Sequence, residues 1–129
     1  MTSPLINRLE SDWAKHKYAV LEKDPAVYQT IRTLLKNKQA PDSALFYTLI
    51  DQALSQPDLI GRQENALQHV WGYFKNDASP EEKAVFEDKH SRWMNRELSL
   101  NEVKRELYVL SVKYQRTYLL NSTYFDVVR

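Results

Sequence analysis

The sequence predicts an all-α protein, and three observations carry that prediction. Only 2 of its 129 residues are Gly, while Leu, Ala, Glu, Lys and Gln are abundant, a balance that favours helices over a turn-dense β fold. Apolar residues recur at helical spacing along most of the chain. Proline and capping residues stand just ahead of those periodic stretches, where helices begin. The length suits one domain, residues 1–129, and a single compact bundle of about six helices is expected. Hydrophobic residues at 43% and charged residues at 27% supply an ordinary globular core and surface, which argues against disorder.

The first helix is expected from near Pro4 to Lys23, with Ile6, Leu9, Trp13 and Val20 on one face, Leu5 and His16 at one flank and Leu21 at the other. Asp24-Pro25 reads as an N-cap and first helical residue, opening a second helix to about Lys36 that buries Val27, Ile31, Leu34 and Leu35. Pro41 is read as opening a third, with Leu45, Phe46, Leu49, Ile50 and Leu54 on its apolar side and Gln56-Pro57-Asp58 at its end. A fourth covers Ile60 to Lys75. Ser79-Pro80-Glu81-Glu82 has the spacing of a capping box and starts a fifth helix to about Arg96. Ser99-Leu100-Asn101-Glu102 repeats the box and starts a sixth, packing Leu100, Val103, Leu107, Leu110 and Tyr114 inward. A short tail carries Tyr124 and Phe125.

Several function classes are excluded by composition. The chain has no Cys, which removes disulfides, thiolate nucleophiles, zinc–thiolate sites and cysteine-held iron–sulfur clusters, and suits the cytoplasm. The stretch Met1 to Arg8 has no basic region followed by an apolar core, so no signal peptide is expected, and no apolar run reaches the length of a membrane span. The three His (His16, His69, His90) are far apart without metal-ligand spacing, and no P-loop, GxSxG or GxGxxG is present. No metal and no cofactor is expected, and the chain reads as a binding module rather than an enzyme. A net charge of +1 gives no global case for nucleic acid, so any such case rests on a local patch.

Three features are candidates for that patch. In the fourth helix Ala66, Leu67, Val70, Trp71 and Phe74 gather on one side, and Arg62, Asn65, His69, Gly72 and Tyr73 on the other. The second group puts a cation, an amide, an imidazole and a phenol around a glycine, which suits a polar, planar or phosphate-bearing partner. A solvated face, with Gly72 serving close helix packing, is the plainer alternative. Lys17 falls inside the apolar arc of the first helix, where a lysine snorkels, pairs with a carboxylate, or points into a site. Late in the chain Lys104, Arg105, Lys113 and Arg116 interleave with Tyr108, Tyr114, Tyr118 and Tyr124, a mix able to meet phosphates and stack on unpaired bases. His90 is read as part of an exposed helix face.

The segment Asn65-Ala66-Leu67-Gln68-His69-Val70-Trp71-Gly72-Tyr73-Phe74 resembles the N-x-x-x-H-x-x-G-Y-F signature of the bacterial YbgA-like family. His16-Lys17-Tyr18, Tyr28, Glu81-Glu82-Lys83 and Tyr124-Phe125 are similar to further elements of that family in the same order. Members occur alone or attached to a cysteine-containing desulfidase domain acting on thiolated uracil or tRNA 4-thiouridine, in which the helical part is thought to hold the RNA. The resemblance therefore implies contact with tRNA or another structured RNA through Lys17, Asn65, His69 and Tyr73, with Arg62 as a neighbour. Lys75 and Arg105 are added as phosphate contacts. It also implies a desulfidase as a possible partner, since a chain without Cys cannot hold a desulfidating cluster itself. Two rival expectations stand beside this one. The first is an adaptor that docks a protein through Trp93, Met94 or the Tyr124-Phe125 tail. The second is a small-ligand or enzymatic pocket where Lys17 and His69 converge. Trp13 stands where many relatives have a histidine, and Trp93-Met94-Asn95-Arg96 replaces a more basic segment.

Overall fold

A computed structural model describes residues 3–129. Met1 and Thr2, which open the stretch read above as lacking a signal peptide, lie outside the described residues. Among the described residues the secondary structure is entirely helical, as expected: seven α-helices and one short 3-10 helix. Among the described residues no helix is long and apolar enough to cross a membrane. The chain divides into two compact units, Met1–Ala66 and Leu67–Arg129. The boundary falls within α4 (Ile60–Trp71).

Unit 1 contains α1 (Pro4–Lys23), α2 (Pro25–Leu34) and α3 (Ser43–Leu54), each packed on the other two. Local chemistry sets each start. The Ser3 hydroxyl accepts from the Ile6 amide at 3.1 Å ahead of Pro4, and the Asp24 carboxylate accepts from the amides of Ala26 and Val27 ahead of Pro25. At α3 the expected opening at Pro41 is corrected. Asp42 is the N-cap, its carboxylate accepting from Leu45 at 3.0 Å, and Pro41 is a buried residue upstream. An acceptor side chain satisfies an orphan amide that proline alone leaves open, so the cap decides the start. Ile6, Leu9, Trp13, Val20, Val27, Ile31, Leu35, Phe46, Leu49 and Ile50 form the core of this unit. Trp13 meets Tyr28 and Phe46 at centroid distances of 5.3 and 6.5 Å. Tyr18 and Ala53 are also buried, although no pattern selected them. Leu45 and Leu54 stay exposed, against expectation, because the buried stripe of α3 runs through Phe46, Leu49, Ile50 and Ala53 and leaves them at its margins.

Unit 2 holds the end of α4 with α5 (Pro80–Met94), α6 (Leu100–Lys113), α7 (Thr117–Leu120) and η1 (Thr123–Phe125). Both expected capping boxes form: Ser79 with Glu82, and Ser99 with Glu102, each exchanging two hydrogen bonds. α5 and α6 pack together, and α7 and η1 fold back on α6. Leu67, Val70, Trp71 and Phe74 are buried as the periodicity predicts, and Trp71 stacks on Phe86 at 4.1 Å with planes 9° apart. Leu100 and Tyr114 are half-buried rather than fully inward, whereas Val103, Leu107 and Leu110 are buried.

α5 and α6 end in the same way. After Asn95, Arg96 adopts φ 62°, with amide bonds from Arg96 to Trp93 and from Glu97 to Arg92. After Tyr114, Gln115 adopts φ 53°, with bonds from Gln115 to Val112 and from Arg116 to Ser111. These are Schellman ends whose left-handed position usually holds glycine, and the early stop at Met94 rather than Arg96 follows from that turn. The side-chain clash of a left-handed residue costs about 1–2 kcal/mol. Arg96→Gly is therefore expected to raise unfolding free energy by about 0.5–1 kcal/mol after the extra chain entropy of glycine, read as a higher urea midpoint at constant slope.

Candidate functional site

The turn after α4 differs most from expectation and places two of the candidate residues. α4 stops at Trp71, not Lys75, and residues 72–77 form successive turns. The amides of Tyr73 and Phe74 turn to the carbonyls of Val70 and Trp71, three residues back, at 3.1 and 2.9 Å. That tightening drives Phe74 into the core of unit 2 while the chain turns toward Ser79. Gly72 is exposed, and a Cβ there would lie 3.2 Å from the His69 carbonyl oxygen, within its own turn. Its bareness thus serves the turn, not close packing of a second helix. Tyr73 and Lys75 consequently project from a turn rather than from a helix face.

In unit 2 the His69 and Lys75 side chains are exposed, and so is Arg105 on α6. Among the described residues none of these three makes a side-chain hydrogen bond or ion pair. Tyr73 is half-buried, its ring 6.2 Å from that of Tyr118, with the planes 19° apart. The Tyr73–Tyr118 pairing was not legible in the sequence. The only signal was Tyr118's place in the basic–aromatic run.

In unit 1 the candidates are Lys17, Arg62 and Asn65. Asn65 is exposed and, among the described residues, its side chain makes no hydrogen bond. Lys17 is half-buried, its ammonium 5.1 Å from the centre of the Tyr18 ring. The Arg62 guanidinium donates to the Lys23 carbonyl at 2.8 Å, at the last turn of α1. The Lys23 ammonium in turn bonds Gln56 O at 3.3 Å and Asp58 at 2.7 Å. Arg62 thus ties helix ends together inside unit 1.

The late basic–aromatic run divides in the same manner. Lys104 is buried at 4% exposure with its ammonium 3.9 Å over the Tyr124 ring, which withdraws it from any phosphate contact. Lys113 pairs with Glu82 at 2.8 Å, and Arg116 pairs with Asp77. Tyr114 donates to Glu82 at 2.5 Å. Tyr108 packs edge-on against Phe125. Trp93, Tyr124 and Phe125 are buried and Met94 is half-buried, so those three aromatic rings present no open face to a protein partner. Edge contacts to Trp93 and a stacked contact to Phe86, each at 6.0 Å, leave His90 half-buried rather than on an open face.

Among the described residues no group of three or more His, Asp and Glu side chains could hold a metal ion. Titration is perturbed chiefly around Glu82. Hydrogen bonds from Lys113, from Tyr114 and from the Ser79 amide hold its carboxyl down at about 2. The same contacts raise Tyr114 and Lys113. This cluster joins the start of α5 to the end of α6 and is structural in character.

No curated protein and no solved structure matches the chain. One family model does, that described as a protein of unknown function (DUF1722), over residues 17–128. That span takes in every candidate residue from Lys17 to Arg105 and all but the opening turns of α1, and the chain belongs to the DUF1722 family.

Proposed function

We propose that this chain is a YbgA-like, non-catalytic RNA-binding module of the bacterial cytoplasm that contacts tRNA, in the service of a separate desulfidase acting on thiolated nucleotides. The observation that carries the reading is the segment His69–Lys75 of unit 2. Val70, Trp71 and Phe74 anchor it in the core, while the His69 imidazole and Lys75 ammonium on either side are exposed and the Tyr73 phenol between them is half-buried. Such a rigidly rooted set offers hydrogen bonding to a base, a stacking surface and a phosphate contact within seven residues. Arg105 adds a second exposed cation in the same unit, and Lys17 and Asn65 are the unit 1 residues the reading retains. Arg62 stays a neighbour in the reading, with one guanidinium N–H bonded to the Lys23 carbonyl and the others left to meet a phosphate.

The test is a titration of nuclease-treated protein against total tRNA, thiolated and unthiolated, at low and near-physiological salt. Affinity is expected to fall with salt, and Lys75→Ala with Arg105→Ala to lower the slope of log K against log salt by about two, roughly one per lost phosphate contact. Absence of binding at low salt defeats the reading. A preference for thiolated tRNA ties it to sulfur chemistry.

A second reading, docking of a partner protein, draws on unit 1, where Leu54, Leu59 and Ile60 are 41, 48 and 53% exposed. A partner that stays bound after nuclease treatment and is released by Leu59→Lys would favour it.

A further inference from the structure

We infer that Tyr118, together with Tyr73, forms a preformed platform for one unpaired RNA base, so that the segment recognised is single-stranded rather than duplex. The inference rests on the RNA-binding reading and adds to it the kind of RNA and a residue that reading does not use. All of the geometry lies within unit 2.

Each ring stands beside a fully buried neighbour: Tyr73 precedes Phe74, and Tyr118 precedes Leu119, both at 0% exposure. The two backbones are therefore rooted in the core while the phenol rings stay outside it, Tyr118 at 40% exposure. The rings lie nearly parallel, 19° apart at 6.2 Å, in the offset range of aromatic stacking. Their segments are locked together independently of the rings. Arg116, two residues before Tyr118, pairs with Asp77, four residues after Tyr73. Tyr114 bonds the Asp77 carbonyl at 3.3 Å and meets the Phe74 ring at 6.2 Å. Binding to such a platform does not first have to order it, which lowers the entropic cost of recognition.

The chemistry of the surroundings selects a nucleotide. Lys75, two residues from Tyr73, is exposed and makes no ion pair among the described residues, and Asp77 is neutralised by Arg116. An aromatic face with an uncommitted cation two residues along the same turn suits a base and its phosphate. A base inside a duplex has both faces covered by its neighbours, whereas an unpaired one turns a whole face and its edges to Tyr118.

The experiment uses the full chain and a single-stranded oligoribonucleotide carrying 2-aminopurine, with the blunt duplex of the same sequence and total tRNA as companions. Wild type is expected to quench the 2-aminopurine and to prefer the single strand. Tyr118→Leu is expected to weaken the oligonucleotide roughly tenfold or more and to abolish the quench, while Tyr118→Phe keeps both, since stacking needs the ring and not the hydroxyl. Thermal midpoints of both variants exclude unfolding as the cause. Unchanged oligonucleotide affinity in Tyr118→Leu, with tRNA still bound, overturns the platform and leaves the RNA reading standing. Equal affinity for the duplex, or tighter binding of a proline-rich peptide, also overturns it. If wild type binds neither oligonucleotide nor tRNA, both the platform and the RNA reading fall.

Discussion

Phe74→Ala is expected to destabilise the protein by about 3–5 kcal/mol, the usual cost of truncating a buried aromatic. Phe74 is fully buried in unit 2 and touches the Tyr114 ring. Its removal takes away the anchor of the turn that follows α4 and leaves a cavity the fixed ends of α5 and α6 cannot fill. Against a total of about 5–15 kcal/mol, that loss is a large fraction. Lys75→Ala, one residue on, removes an exposed side chain without partners among the described residues and is expected to stay within about 0.5 kcal/mol. Urea unfolding of the two variants side by side checks both. A Phe74→Ala midpoint close to wild type would show that the turn is held by something other than its aromatic anchor. The adjacent Tyr73 and Phe74 thus have opposite duties, one at the surface and one in the core.

The second effect is expected in acid. The Glu82 carboxyl is held at about 2, first by the Lys113 ammonium, then by the Tyr114 hydroxyl and the Ser79 amide. A carboxyl whose folded value lies below its unfolded one favours the folded state above the unfolded value, near 4.5, and that contribution is lost as pH falls toward about 2. Stability is therefore expected to decline between those limits, by the modest amount a solvent-screened pair contributes. Glu82→Gln is expected to lower the plateau at neutral pH and to flatten the acid limb, because the amide keeps the shape but not the charge that binds Lys113. Tyr114 and Lys113 are raised by the same contacts, so their contribution is present below their ordinary values of 10.0 and 10.5 and lost as pH rises past them. Tyr114→Phe, which removes only the hydroxyl bond, separates that contact from the ion pair. Circular-dichroism melts from pH 2 to 6 provide the readout, and an acid limb in Glu82→Gln as steep as in wild type would assign the acid sensitivity to other carboxylates. The Glu82–Lys113 pair is largely solvent-exposed on the lysine side, at 58%, so 1 M salt should weaken it while leaving the Tyr114 bond in place.

The sequence was most informative where the physics is local. The starts of α1, α2, α5 and α6 were legible because a cap and its target amide lie two or three residues apart. The buried stripe Ala66, Leu67, Val70, Trp71 and Phe74 was legible because helical periodicity alone sorts those residues. Helix ends were read less well: α4 and α5 both stop earlier than the pattern suggests, through turns that use no proline and, in α5, a left-handed arginine in place of glycine. Asn65 and His69 could be named from the sequence, and their exposure is in keeping with an accessible surface, yet the sequence could not separate them from Arg62. Arg62 shares their face by periodicity but also donates to a carbonyl from a different helix.

By itself, then, the sequence determined the all-helical class, the helix starts, the apolar faces and the absence of any cysteine chemistry, all consequences of composition or of contacts within one turn. Only the tertiary structure decided that Lys104 is buried under Tyr124, that Trp93 and the Tyr124-Phe125 segment are core rather than docking surface, and that Tyr118 comes to lie against Tyr73. Those outcomes depend on pairs far apart in the chain, brought together by the packing of whole helices, and neither periodicity nor capping carries information about which distant side chain arrives opposite.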